Sequence, residues 1–441
     1  MKTMTRVMAA IILMVFSLQQ TMAELRIGFQ MVDVENGVGQ LNVTGAIPNK
    51  PYQVQTTFSI AEGKWANWSY PFLTLKADFA KAIPISAERT QFFRLMQVSE
   101  QIGSLSVSGD STSPPSALAT AGSVNVVIGV WKFRPTGENF FITNLGLKSR
   151  FPNPGLDIFK VTVWDGATQV GFGVFTGNNM TAVCYCPNPI ATTQDNDKTI
   201  VIKADFNQIG IGQPGKSGDQ IAIDFDPAGT VATGVSSGQN VIVSGETHSA
   251  PIILFKSIPI VRLETVPVNG LLDGRFMRFS VSADFNGPVN LGKLTFTVKC
   301  TGATFSKLSL TGYTDAGFSQ PISSGVNGNL GELTLPQTAS ATAVIFPQSP
   351  VTIPAGQKLY FELRSNLIGI AANFSVNTVL VGDGTGPLMG TFGEVNRLWP
   401  ANFVWSPNSV TSSSTFVDKD WVNGYLIPGL PSTGLMQSRV N

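Results

Sequence analysis

The chain has 441 residues, and 29 Lys and Arg stand against 28 Asp and Glu, for a net charge of +1 with only 13% charged residues. A near-neutral chain with interspersed signs sets up no field that would gather nucleic acid or an acidic membrane, so neither is an expected partner. A single histidine, His248, excludes paired-histidine catalysis and histidine-rich metal centres, and the length suits about two to four domains that each bury a core.

Residues 1–23 have the order of a secretory signal. Lys2 and Arg6 are followed by an apolar run from Val7 to Leu18, too short to cross a bilayer, and Thr21-Met22-Ala23 supplies small residues for a signal peptidase. The mature chain is expected to begin near Glu24, to be secreted, and to hold no transmembrane helix, because no later window reaches roughly 18 uncharged apolar residues. Residues 24–103 read as a small β-domain. Tyr52 to Thr57 alternates like a half-buried strand, Trp65 and Trp68 lie across a turn, and Gln91 to Met96 closes as another strand. The opening Tyr52-Gln53-Val54, the central Trp and the closing Phe92-Phe93-Arg94-Leu95 resemble a small module that recurs in secreted bacterial proteins. Flat, apolar indole faces suit pyranose rings, so Trp65 and Trp68 are glycan-stacking candidates, although core packing is the commoner use of Trp in such a domain.

Residues 104–122 are centred on Gly109-Asp110-Ser111-Thr112-Ser113-Pro114-Pro115 and read as a linker, being rich in Gly, Ser and Pro without an apolar period. Beyond them short strands alternate with turns such as Gly212-Gln213-Pro214-Gly215, and a pattern recurs. Phe141-Ile142-Thr143-Asn144-Leu145-Gly146-Leu147-Lys148 is answered by the stretch from Val289 to Lys299, Phe159 to Asp165 by Phe305 to Leu310, and Asn207 to Ile211 by Asn366 to Ile370. Similarity in fixed order marks repeated units, and strands of this length without crossover helices argue for antiparallel sheets. The expected fold is all-β: a small N-terminal β-domain, then two tandem immunoglobulin-like antiparallel β-sandwiches over residues 123–250 and 251–395. An aromatic, proline-rich segment, 396–441, ends the chain. Its Trp399, Trp405, Trp421 and Tyr425 lie among Pro400, Pro407, Pro428 and Pro431, which forbid a helix or a long central strand. Those rings need cover, either as a cap on an open edge of the second sandwich or by docking on a neighbouring subunit.

Several motifs imitate chemistry. Cys184 and Cys186, two apart in a strand, would lie about 7 Å apart, farther than a relaxed disulfide favours; a link from either to Cys300 would staple the sandwiches, and reduced or partly paired thiols are the plainer reading. Gly234-Val235-Ser236-Ser237-Gly238 fits a nucleophile elbow with His248 nearby, but the stretch after it is a strand, not a helix. Asp195, Asp197, Asp224 and Asp226 are the candidate calcium ligands, without the spacing of an EF-hand loop; no other cofactor is expected. Gly382-Asp383-Gly384-Thr385-Gly386 lacks the βαβ setting of a dinucleotide loop. Leu430-Pro431-Ser432-Thr433-Gly434 matches a sortase motif but is followed by no apolar tail.

The ordered set Asn125 to Phe133, Ile142 to Leu145, Val163 to Gly166, Ile202 to Asp205, Phe403 to Ser406 and Trp421 to Tyr425 is similar to the repetitive surface and S-layer-like β-proteins of bacteria, especially of small-genome candidate phyla. The resemblance implies a structural or adhesive role and carries over no catalytic residues. The sequence is therefore expected to describe a non-enzymatic surface-layer, fibre or coat component whose partners are other copies of itself or other surface proteins. The alternative is an extracellular carbohydrate-binding protein that stacks polysaccharide on Trp65 and Trp68, and a hydrolase is the third reading.

Overall fold

The computed structural model describes residues 26–33, 38–46, 51–57, 66–67, 72–73, 76, 78–84, 92–97, 102–267, 271–410 and 414–440. The signal segment lies outside them. Within the N-terminal stretch, Arg26–Asp33, Val38–Thr44 and Phe79–Pro84 form one sheet, and Pro51–Thr57 is the hub of another that includes Phe92–Gln97. A small core of Leu41, Val43, Tyr52, Val54, Phe93 and Leu95 belongs to these strands.

The remainder is two β-sandwiches of matching strand order. In the first, Ser104–Gly109, Val126–Thr136, Lys198–Phe206, Ile158–Asp165 and Thr168–Gly173 lie side by side; in the second, Pro259–Leu263, Arg275–Ala283, Lys358–Ile368, Thr304–Tyr313 and Asn329–Thr338 do the same. Across each core, Phe140–Ser149 is flanked by Thr181–Ala191 and Ile223–Gly234, as Val289–Thr301 is by Ser340–Ile345 and Ser375–Leu380. The first two pairs of duplicated segments thus occupy equivalent strands, whereas Asn207 to Ile211 follows the end of Lys198–Phe206 and its counterpart Asn366 to Ile370 overlaps the end of Lys358–Ile368. Period-two alternation builds the first core: Ile200, Ile202, Ala204 and Phe206 of one strand face Ile142, Leu145 and Leu147 of another. In the second core Phe279 stacks on Phe361 at 5.1 Å and reaches Phe296 of the opposite sheet at 5.9 Å. In the first sandwich alone the two halves join into a single curled sheet, through the pair Phe172 and Tyr185.

Residues 104–122 are not a linker. Ser104–Gly109 pairs antiparallel with Val126–Thr136, and Ala117–Thr120 runs parallel to Ile252–Phe255, which also pairs with Gln220–Ile221. This three-stranded sheet has no solvent face along its central strand. Ile252 and Leu254 enter the first core, while Ile253 and Phe255, alternating with them, enter the second. Ala119 and Leu118 on the neighbouring strand divide in the same way. Phe255 meets Trp405 edge-on at 5.1 Å, and the Asn286 amide donates to the Ala121 carbonyl at 2.8 Å. The joint between the sandwiches is a shared, buried sheet.

Nor do residues 396–441 form a separate segment. Phe403–Ser406 pairs with Val289–Thr301, Trp421–Asn423 pairs with Phe403–Ser406, and Leu435–Val440 forms an edge against Ser375–Leu380. Trp405 lies in the second core, and Trp421 joins Val395, Ala401 and Val404 in a smaller one on the outer side of the same sheet. That cover explains why Val289–Thr301 is buried on both faces along its first half. Leu430 is in the core and Gly434 closes a turn on the Pro431 carbonyl, so the sortase-like motif is a folded corner and not an extended substrate.

All three cysteines are buried free thiols, and no link staples the sandwiches, because Cys184 and Cys186 belong to the first core and Cys300 to the second. Gly171 and Gly173 make room for the first pair: a Cβ on either would come within 2.6 Å of the Cys186 sulfur or 2.9 Å of the Cys184 sulfur. Burial pushes the Cys184 thiol far up and raises Cys186 and Cys300 to about 11. Thiols held protonated and out of solvent react slowly. A maleimide reagent is accordingly expected to leave the native protein unlabelled and to add three groups in denaturant; rapid labelling of the folded chain would contradict this packing.

Candidate contact surface

The acidic candidates are engaged by neighbours. Asp197 pairs with Arg134 at 3.1 Å and Lys132 at 3.7 Å, and Asp224 pairs with Arg150 at 3.0 Å and accepts the Ser249 amide at 2.7 Å. Asp226 accepts the Ala228 amide at 3.1 Å, and Asp195 occupies a left-handed turn position. Among the described residues no group of three or more His, Cys, Asp or Glu is placed to hold a metal ion, so these four are not brought together as a calcium site. The elbow-like stretch is a tight turn closed on Glu138, which accepts the amides of Ser236 and Ser237 at 2.8 Å each. His248 pairs instead with Glu246 at the surface.

Trp65 and Trp68 lie outside the described residues. Of the C-terminal aromatics, Trp405 and Trp421 are core residues with their indole N–H groups bound to the Asn423 and Thr415 carbonyls, Tyr425 is half-buried, and Trp399 is partly exposed.

A different surface stands out on the first sandwich. In Thr181–Ala191 the buried residues Ala182, Cys184 and Cys186 alternate with exposed Thr181, Val183 and Tyr185. Tyr185 is 61% exposed and lies opposite Phe172, which is 51% exposed. The register continues the row: Thr162 is paired with Phe172, Asn144 with Tyr185, and Val231 with Asn144. Five residues thus lie abreast on adjacent strands, a span of about 19 Å at the usual strand spacing. Val183, 47% exposed, lies beside this row over Gly146, where a Cβ would collide with the Asp226 carbonyl. At one end Trp164 is fixed by its N–H to the Thr162 hydroxyl at 2.9 Å, and the Lys203 ammonium covers its ring at 3.9 Å.

The equivalent strands of the second sandwich are different in chemistry. Their exposed positions are Asn329, Glu332, Thr334, Pro336 and Gln337 on one strand and Ser340, Thr342 and Val344 on the other. Among the described residues of these equivalent strands, exposed aromatic side chains occur in the first repeat and not in the second. The signal for the first-repeat face was present in Thr181-Ala182-Val183-Cys184-Tyr185-Cys186, where apolar residues fall on both parities of a strand whose one face already fills a core.

No protein-family model matches the chain, and no curated protein matches it. Among solved structures, a chain from the structure of manganese lipoxygenase of Gaeumannomyces graminis and part of zonadhesin of Komagataella pastoris is similar at 11% identity, over 77% of this chain and 95% of that one, with a TM-score of 0.16. A tetra-tandem repeat from the extending region of a large adhesion protein matches at 13% identity over 81% of this chain and 70% of its own, with a TM-score of 0.15. The type II cohesin dyad from the adaptor ScaA scaffoldin of Acetivibrio cellulolyticus matches at 10% identity over 73% and 98%, with a TM-score of 0.16. Likeness of this degree assigns neither an activity nor a partner to the chain.

Proposed function

We propose that the protein is a secreted structural or adhesive component of a cell surface, acting by assembly or contact and not by catalysis. The observation that carries this reading is the exposed apolar group of Phe172, Tyr185 and Val183, with Val231 beyond Asn144, on a sheet whose inner face is already a complete core. Exposed apolar side chains gathered on one face in this way are favoured where another surface covers them. The buried joint between the sandwiches fits the same role, since a chain that transmits contact benefits from modules that cannot swing. The partners are other copies of this chain or other surface proteins. A second reading is favoured by the cross-strand pairing of the exposed residues Phe172 and Tyr185, which would offer a sugar two aromatic side chains on one face.

The double variant Phe172→Ser/Tyr185→Ser tests both. The side chains are exposed, so stability is expected to change by no more than about 1 kcal/mol. The wild type is expected to form higher-order species in sedimentation and negative-stain images, and the variant to stay monomeric. Assembly of the variant equal to the wild type would reject this face as the contact surface. Saturable binding on a glycan array, lost in the variant without any assembly by the wild type, would establish the sugar reading instead.

A further inference from the structure

Three buried carboxylates each gather the backbone of a loop, and their oxygens can be compared one by one. Glu138 uses both: Oε1 accepts from the Gly103 amide and the Ser237 hydroxyl, and Oε2 from the amides of Ser236 and Ser237. Asp383 also uses both, with Oδ1 on the Asn402 amide and Oδ2 on those of Phe403 and Gly424. Asp420 departs from this pattern. It is wholly buried, and all its donors converge on Oδ2: the Ser406 hydroxyl at 2.9 Å, the Ser409 amide at 2.8 Å and the Ser414 hydroxyl at 2.7 Å. Among the described residues its Oδ1 meets no hydrogen-bond partner, and the same holds for the buried hydroxyl of Ser409, whose amide grips the other oxygen.

The described residues around this carboxylate are held by further hydrogen bonds. Asn408 takes a left-handed conformation at φ 52, its carboxamide oxygen accepts the Ser414 amide at 2.6 Å, and its side-chain nitrogen donates to the Pro288 carbonyl at 3.3 Å. Asn290, also wholly buried, donates to the Ser414 carbonyl at 3.1 Å. Every donor to Asp420 is neutral, and the Lys256 ammonium is engaged one residue away, on the Asn408 carbonyl at 2.8 Å. A buried carboxylate without a counter-charge is costly, and a neutral water would satisfy geometry without supplying charge.

We infer that Oδ1 of Asp420 and Oγ of Ser409 are ligands of a hard cation, of calcium type, bound between Ser409, shortly after Phe403–Ser406, and Asp420, just before Trp421–Asn423. The oxygen-only chemistry of the site, with carboxylate, hydroxyl, amide and carbonyl groups and neither Cys nor His, selects a hard ion over zinc or copper. The site is unrelated to Asp195, Asp197, Asp224 and Asp226 and independent of the contact face, so it stands or falls separately from the proposed function.

Terbium luminescence on the whole chain tests it, because Trp421 adjoins Asp420 and holds the Thr415 carbonyl through its indole, placing a sensitiser at the site. Sensitised emission is expected to saturate at one ion per chain, to be displaced by calcium, and to be absent from Asp420→Asn. Calcium at about a hundred times its dissociation constant is expected to raise the melting temperature by about 5 °C over the chelated protein. Asp420→Asn can fail to fold, so Ser409→Ala is the second arm: it keeps the amide that holds Oδ2 and removes only the unpartnered hydroxyl. A purely structural loop predicts no loss from that change, whereas the cation site predicts roughly tenfold weaker terbium binding. No sensitised emission together with no calcium effect on melting, or emission unchanged in both variants, would overturn the assignment.

Discussion

Phe255→Ala is expected to destabilise the protein by about 3–5 kcal/mol and to move the unfolding of both sandwiches together. The side chain is fully buried and meets Trp405 at 5.1 Å, so truncation leaves a cavity beneath the largest ring of the second core. The effect does not stop there. Ile252–Phe255 is a four-residue strand whose alternate residues Ile252 and Leu254 belong to the first core, and it holds Ala117–Thr120 in parallel register. A strand buried on both faces cannot relax toward one core without withdrawing from the other. Calorimetry is therefore expected to show one transition for the two sandwiches in the wild type and one, shifted down, in the variant. Two resolved transitions, of which only the later-numbered sandwich moves, would show that the sandwiches fold independently. Phe285→Ala is the matched control: that ring is 88% exposed, and its removal is expected to stay within about 0.5 kcal/mol.

That joint was hidden in the sequence for a physical reason. Residues 104–122 hold one short alternation, Leu105 and Val107 among Ser104, Ser106 and Ser108, and then only Leu118 as a large apolar residue beyond the Gly, Ser and Pro of 109–116, which together read as a linker. Their partners lie far along the chain: Ser106 beside Ser244, and Ala117 beside Ile252. Such pairings are settled by tertiary packing, which local propensity does not record. The duplicated strands were legible because they carry their own signal. Ile142, Leu145 and Leu147 in one copy and Leu291, Leu294 and Phe296 in the other are core residues, and both copies shift register at or beside the Asn-Leu-Gly they share. The C-terminal aromatics were singled out as needing cover; Trp405 and Trp421 are buried, whereas Trp399 is partly exposed. Their prolines concealed that they form short strands of the sandwich itself, with Trp405 in its main core and not at an edge. The contact face was readable in Val183 and Tyr185, but expectation went to Trp65 and Trp68 because indoles are the more familiar sugar platform.

Stability is also expected to fall as pH rises from about 4 to about 7. Asp157 ends the short helix Pro154–Asp157 and is 1% exposed. Burial raises its carboxyl from 3.8 to about 7, and the charge and hydrogen bond of Asp219 push the same way; the Lys216 amide at 3.1 Å and the Lys216 charge oppose them. The folded chain therefore keeps a proton that the unfolded chain releases above its ordinary carboxyl range. With more protons bound in the folded state, stability declines with pH until the folded group also ionises, and it is level above that. The loss, a few kcal/mol in all, falls at the joint: the Asp219 carbonyl accepts the Leu254 amide at 2.9 Å, and Gly218 donates to the Leu254 carbonyl at 2.8 Å. Asp157→Asn keeps an acceptor for the Lys216 amide and supplies a permanent donor toward Asp219. Urea melts at pH 5 and pH 8 should show the wild type weakened at the higher pH and the variant nearly unchanged, so that the variant is the more stable of the two at pH 8. A wild type equally stable at both, or a variant with the same pH slope, would show that the Asp157 proton has no part in holding the joint.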